Sequence, residues 1–121
     1  LSEVDQIKRL IDDYYAFVSA NVYSVKFILS LLLREEKHPD DLVGHMSELQ
    51  RVYRNLLADI IEGGVQRGVF RATITPTLDA GLIMTALHGV LVQGFMGGSP
   101  PESAEAVVQH LKATLVDTLR R

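Results

Sequence analysis

From Ala80 to Gly98 the chain carries no charged residue, a run of nineteen positions. A helix that is apolar all round must be covered on every side. The length approaches that of a membrane span. Thr85, His88 and Gln93 interrupt the run, glycines stand at 81, 89, 94, 97 and 98, and no Lys or Arg closely flanks either end. Basic flanks are what orient a spanning helix, so two layers of protein explain the run better than lipid does. One face would pack on the domain's own core and the other on a second copy of itself. Ala86, Gly89 and Gly94 lack bulk, which lets another helix approach closely. A two-fold axis would place that patch against its own copy. The alternative is a fully buried central helix in a monomer.

The rest of the chain fits one domain spanning residues 1–121. At 47% hydrophobic and 22% charged, it has enough apolar residues for a sizeable core. It has no cysteine, which excludes disulfides and thiolate ligands. This also fits a cytoplasmic location. Formal net charge is −3, and the 12 Lys and Arg residues are scattered among 15 acids. Unaided binding to nucleic acid needs a basic face, and none is readable. The chain begins at Leu1 with charges at Glu3 and Asp5, so a portion of a longer gene product without a signal peptide is expected.

Strand patterns are nearly absent, and the periodicity predicts five helices. The first, over residues 3–20, starts at a Ser2/Asp5 capping pair and has Val4, Ile7, Leu10, Ile11, Tyr14, Phe17 and Val18 on one face. The second, over 22–36, follows Asn21 as N-cap and is apolar enough to be largely buried; Pro39 stops it. The third, over 40–67, has a stripe of Val43, Met46, Leu49, Tyr53, Leu56, Leu57, Ile60 and Ile61. Gly68 supplies its C′ residue. The fourth opens at Thr75-Pro76 and runs to about Met96. The fifth opens near Ser99-Pro100-Pro101-Glu102 and carries Ala104, Val107, Val108, Leu111, Leu115 and Leu119.

The segment Ile60-Ile61-Glu62-Gly63-Gly64-Val65-Gln66-Arg67-Gly68-Val69-Phe70-Arg71 is the most distinctive. Thr75-Pro76, Ala80 and Leu87-His88-Gly89 follow it. Together they resemble the C-terminal region of TetR-family transcriptional regulators. There a long helix ends in an acid-Gly pair and a second Gly, and a Pro opens the first dimerisation helix. The resemblance implies an effector-binding and dimerisation domain, with the last two helices forming a four-helix bundle across a homodimer. Family members read DNA through an N-terminal helix-turn-helix. No basic helix-turn-helix is readable among the five helices, so DNA would be met only through a domain that this sequence lacks.

Catalysis finds little support. Asp12-Asp13, Glu35-Glu36 and Asp40-Asp41 are adjacent pairs whose members diverge on a helix. His38, His45, His88 and His110 form no metal-ligand spacing, so no cofactor, metal or enzymatic activity is expected. His88 stands apart, because an imidazole within an apolar helix needs a partner. Tyr14, Phe17, Phe27, Tyr53, Leu57, Met84, His88 and Leu91 are the candidate lining of an effector pocket between the first four helices. The expected dimer interface comprises Ala86, Gly89, Val90, Gln93, Gly94, Val108, Leu111, Leu115 and Leu119. The predicted whole is an all-α, five-helix domain of a TetR-like repressor. It would bind a small, largely apolar effector, dimerise and stay out of the membrane. The alternative is a helical dimerisation or interaction module with no ligand.

Overall fold

A computed structural model describes residues 2–32, 40–95 and 101–120. The side chains at 28–29, 31–32, 40–47, 91, 94–95 and 101–103 fall outside that description. The Pro39 stop, the Ser99-Pro100 cap, the Val43 and Met46 positions, and the side chains of Leu91 and Gly94 therefore lie outside the described residues. The chain is all-α, with five helices in order: α1 (Glu3–Ala20), α2 (Val22–Leu32), α3 (Asp40–Gln66), α4 (Pro76–Phe95) and α5 (Pro101–Leu119). Among the described residues no helix is long and apolar enough to cross a membrane.

Local chemistry sets the helix boundaries. The Asp5 amide donates to Ser2 Oγ at 3.1 Å, and the Ser2 hydroxyl donates back to Asp5 Oδ2 at 2.9 Å. This reciprocal pair satisfies one of α1's unpaired amides and holds an acid where the helix dipole favours it. Asn21 does something other than cap α2 with its side chain. Its carbonyl accepts from the Val25 amide and so begins α2, but its side-chain amide donates to Phe17 O at 2.8 Å and closes α1. At the end of α3 the Gly68 amide donates to Val65 O and the Val69 amide to Gly64 O. This is the Schellman pattern, and it needs a left-handed residue, supplied by Gly68 at φ 76°. Asp79 reaches back to accept from the Thr75 amide at 3.1 Å and fixes the start of α4.

The principal contacts run α1 to α3, α3 to α4, α4 to α5, and α5 back to α1. Four helices thus close a ring, with α1 opposite α4 and α3 opposite α5. α2 rests chiefly on α1. That placement explains why its described side chains are not largely buried. Tyr23 is 88% exposed and Phe27 63%, since one neighbouring helix cannot cover an apolar surface that wide.

The end of the ring that holds Glu3 is closed by Phe70, which is buried beneath the helices. Its ring presses on Gly64 so closely that a Cβ there would overlap Phe70. Phe70 also pairs with Arg120, and the Arg71 amide donates to Leu119 O at 2.9 Å. The short loop after α3 thereby holds the end of α5. Above this floor lie Val4, Ile7, Leu10 and Ile11 of α1, Leu57, Ala58 and Ile61 of α3, and Ala80, Ile83, Met84 and Leu87 of α4. Val108, Val116 and Leu119 of α5 complete the buried core. Each large buried side chain contributes about 1.5–3 kcal/mol, so cohesion is concentrated here. Two ion pairs lace the helices together. Glu3, a buried acid, accepts from Arg67 at 3.0 Å, and Lys112 on α5 meets Asp12 on α1 at 2.6 Å.

Candidate ligand site and helix surfaces

The buried core reaches a layer of three rings. Tyr14 on α1 and His88 on α4 meet across the diagonal of the ring of helices, with the Tyr14 hydroxyl 2.8 Å from His88 Nε2. Tyr53 on α3 sets its ring edge-on to Tyr14, centroids 5.3 Å apart at 81°. The His88 ring is tilted 59° to Tyr14 at 5.6 Å. Such edge contacts suit the quadrupoles of aromatic rings. They fix Tyr14 between two partners, each from a different helix.

Helical periodicity shows what lies on either side. One turn toward the Phe70 end, Leu10 and Ile11 on α1, Leu57 on α3 and Met84 on α4 are all buried. One turn the other way, on the same faces as Tyr14 and Tyr53, stand Phe17 and Leu49, which are 54% and 44% exposed. Phe27 on α2 is exposed as well. Val18 and Val108 stay buried at or beyond the level of the rings. The aromatic layer thus marks where the interior passes from close packing to open apolar surface among the described residues.

Burial disfavours the charged form of both polar partners. Desolvation lowers the pKa of His88 below the ordinary histidine value. Desolvation raises that of the Tyr14 phenol, and the neighbouring Tyr53 adds to the rise. Both shifts follow from removing a charge from water.

Of the eight candidate lining residues, Tyr14, Tyr53 and His88 come together directly. Leu57 and Met84 are buried on the packed side of the layer, Phe17 and Phe27 are exposed beyond it, and Leu91 lies outside the described residues. The partner that the His88 imidazole required is Tyr14. Thr85, one turn earlier on α4, is exposed and faces elsewhere. The sequence reading missed Phe70 as floor, Val116 as core, and the Glu3–Arg67 and Asp12–Lys112 pairs. Phe70 left a signal in its position just after the Gly63-Gly64 and Gly68 pattern. The ion pairs left none, because their members are 64 and 100 residues apart.

The candidate interface residues divide in the same way. Val108 and Leu119 are buried in the chain's own core and have no surface to offer a partner. Ala86, Val90, Leu111 and Leu115 are half-buried, Gly89 and Gln93 are exposed, and Gly94 lies outside the described residues. On α4 the exposed positions Leu82, Thr85, Gly89 and Gln93 form one uncharged stripe. A Cβ built at Gly89 meets nothing within 4 Å, so among the described residues no helix takes the approach that this glycine allows. On α5 Val107, His110, Thr114 and Thr118 form a second exposed stripe. The exposed faces of α1 and α3, by contrast, carry Arg9, Asp12, Asp13, Glu48, Arg51, Arg54, Asp59 and Glu62.

Among the described residues no three His, Asp or Glu side chains converge as a metal ion would require. No protein-family model, curated protein or solved structure matches this chain.

Proposed function

We propose that this chain is the effector-binding and dimerisation domain of a TetR-like transcriptional repressor, and that it takes a small, largely apolar ligand beside the Tyr14–Tyr53–His88 layer of α1, α3 and α4. The observation that carries this reading is an interior that loosens toward one end among the described residues. Past the Tyr14–Tyr53–His88 layer the large side chains of Phe17 and Leu49 are in contact with solvent, although Val18 stays buried. Ligand sites are mostly apolar concavities with a few placed polar groups, and a hydrogen-bonded Tyr–His pair beside exposed apolar side chains has that composition. The residues from Ile60 to Arg71, with Thr75-Pro76 and Leu87-His88-Gly89, add the family resemblance. In the intact protein DNA would be read by an N-terminal helix-turn-helix. A ligand would act there through its differential affinity for two arrangements of those heads.

A second reading, a helical dimerisation or interaction module without a ligand, draws on the uncharged stripes of α4 and α5. A partner helix could cover them whether or not anything enters the interior. Melting curves separate the two. An apolar probe such as octan-1-ol should raise the melting temperature, because binding the folded state alone stabilises it by mass action. Tyr53→Ala or His88→Ala should reduce the rise and leave the oligomeric state unchanged. No rise at any soluble concentration would leave the non-sensing module as the better account.

A further inference from the structure

We propose that the Tyr14–His88 pair receives the single polar group of an uncharged ligand, a hydroxyl or a carbonyl, and rejects an ionised carboxylate or ammonium. This rests on the sensor reading above and names the ligand class of that site.

The first argument is hydrogen-bonding capacity. A phenol oxygen offers one proton and two lone pairs, and a neutral imidazole offers one donor and one acceptor nitrogen. The 2.8 Å contact between them uses one donor and one acceptor. It can also run in either sense, set by the imidazole tautomer. With Tyr14 donating to Nε2, the phenol oxygen can accept from a ligand hydroxyl. With Nε2 donating to Tyr14, the phenol proton can turn to a ligand carbonyl. One pair therefore serves both uncharged groups.

The second argument is the distribution of charge on the four elements around the pair. On α1, Arg9 meets Asp13, and Asp12 meets Lys112 of α5. On α3, Arg51 meets Glu48 on the exposed face. α4 has no charged residue from Ala80 onward. On α5, Lys112 is the most enclosed cation, 13% exposed, and Asp12 is 2.6 Å from it. The buried acid Glu3 lies eleven residues down α1, about 16 Å away along the helix, and is held by Arg67. An ionised ligand group at Tyr14 would lose water and, among the described residues of these four helices, meet no unpartnered counter-charge, which is costly. Burial disfavours charge on the pair itself.

Titration calorimetry at pH 7.5 with octan-1-ol, octan-2-one, octanoate, octylammonium and toluene tests the proposal. Octan-1-ol and octan-2-one should bind the wild-type protein at least about tenfold more tightly than octanoate or octylammonium. Tyr14→Phe keeps the ring and removes the hydroxyl. It should weaken octan-1-ol roughly fivefold and leave toluene, which has no polar group, unchanged. Octanoate or octylammonium binding as tightly as octan-1-ol in wild-type protein would overturn the ligand class, with no variant required, and leave the sensor reading intact. So would a Tyr14→Phe variant, shown by circular dichroism to be folded, that weakens toluene and octan-1-ol equally. Failure of every probe, toluene included, to bind wild-type protein would instead remove the sensor reading, and this proposal with it.

Discussion

Gly64 is the residue whose identity is most tightly constrained. It has no room for a Cβ, because the buried Phe70 ring lies against it. Phe70 cannot withdraw easily, since it closes the floor of the core and its backbone pairs with Arg120. Gly64→Ala should therefore destabilise the fold by about 1–3 kcal/mol, the usual cost of overpacking a filled core, measured by urea denaturation. Gly89→Ala should cost far less at the protomer level, because its Cβ would enter open space. Titration gives a second residue-scale test. Folded His88 resists protonation, so the unfolded chain binds more protons once the pH falls through the ordinary histidine value of 6.5. The stability that this provides is complete above that pH and is lost below it, toward the folded value. Tyr14 behaves in the opposite sense. Its contribution is complete below pH 10.0 and is lost above it, as the pH rises toward the higher folded value. Denaturation midpoints from pH 7.5 to 5.5 should fall in the wild type and fall less in His88→Gln. Parallel slopes would mean that His88 is not held neutral.

At the scale of elements, the helix order was legible because each boundary has local chemistry behind it. Ser2 and Asp5 cap α1, Gly68 ends α3, and Pro76 starts α4. The three rings of the candidate site were also visible, since each places a polar tip on an apolar helical face. What could not be read was which face each helix presents to which neighbour. α2 looked like a buried helix, yet it rests chiefly on α1 and its described side chains are largely exposed, because hydropathy records what a helix would bury and not what is there to cover it. Val108 and Leu119 share a stripe with Leu111 and Leu115, and all four pack in or against the chain's own core, the first two completely; periodicity alone cannot tell a core stripe from an interface stripe. The outward stripe of α4 yields its own prediction. Gly89→Asp places a charge on an exposed, uncharged surface without a clash inside the protomer. By circular dichroism the variant should fold. If α4 meets a second copy there, sedimentation should show a dimer for wild type and a monomer for the variant, since an unpaired charge in an interface is costly. Identical sedimentation of the two proteins would place any interface elsewhere.

The whole molecule is a ring of four helices whose two ends differ. One end is floored by Phe70, tied by the Glu3–Arg67 pair and by the Arg71 amide on Leu119 O, and filled with buried side chains from all four helices. The other lies past the Tyr14–Tyr53–His88 layer, where, among the described residues, Phe17 and Leu49 are exposed and Val18 is buried. Local opening is cheapest where few apolar contacts must break, so this asymmetry should appear in amide hydrogen exchange. Residues 3–11 of α1, 57–66 of α3 and 80–87 of α4 should exchange slowly, at rates approaching those of global unfolding. Residues 14–20 of α1 and 48–53 of α3 should exchange faster, although they belong to the same continuous helices. A ligand seated past the rings would supply the missing contacts on that side. Octan-1-ol should therefore slow exchange selectively in residues 14–20 and 48–53, with little change near Phe70. Uniform protection along α1 and α3 without ligand would mean that the interior is equally cohesive at both ends, and would remove the structural basis for a ligand site there. Slowing spread evenly over all helices would place the octan-1-ol contact somewhere other than this layer.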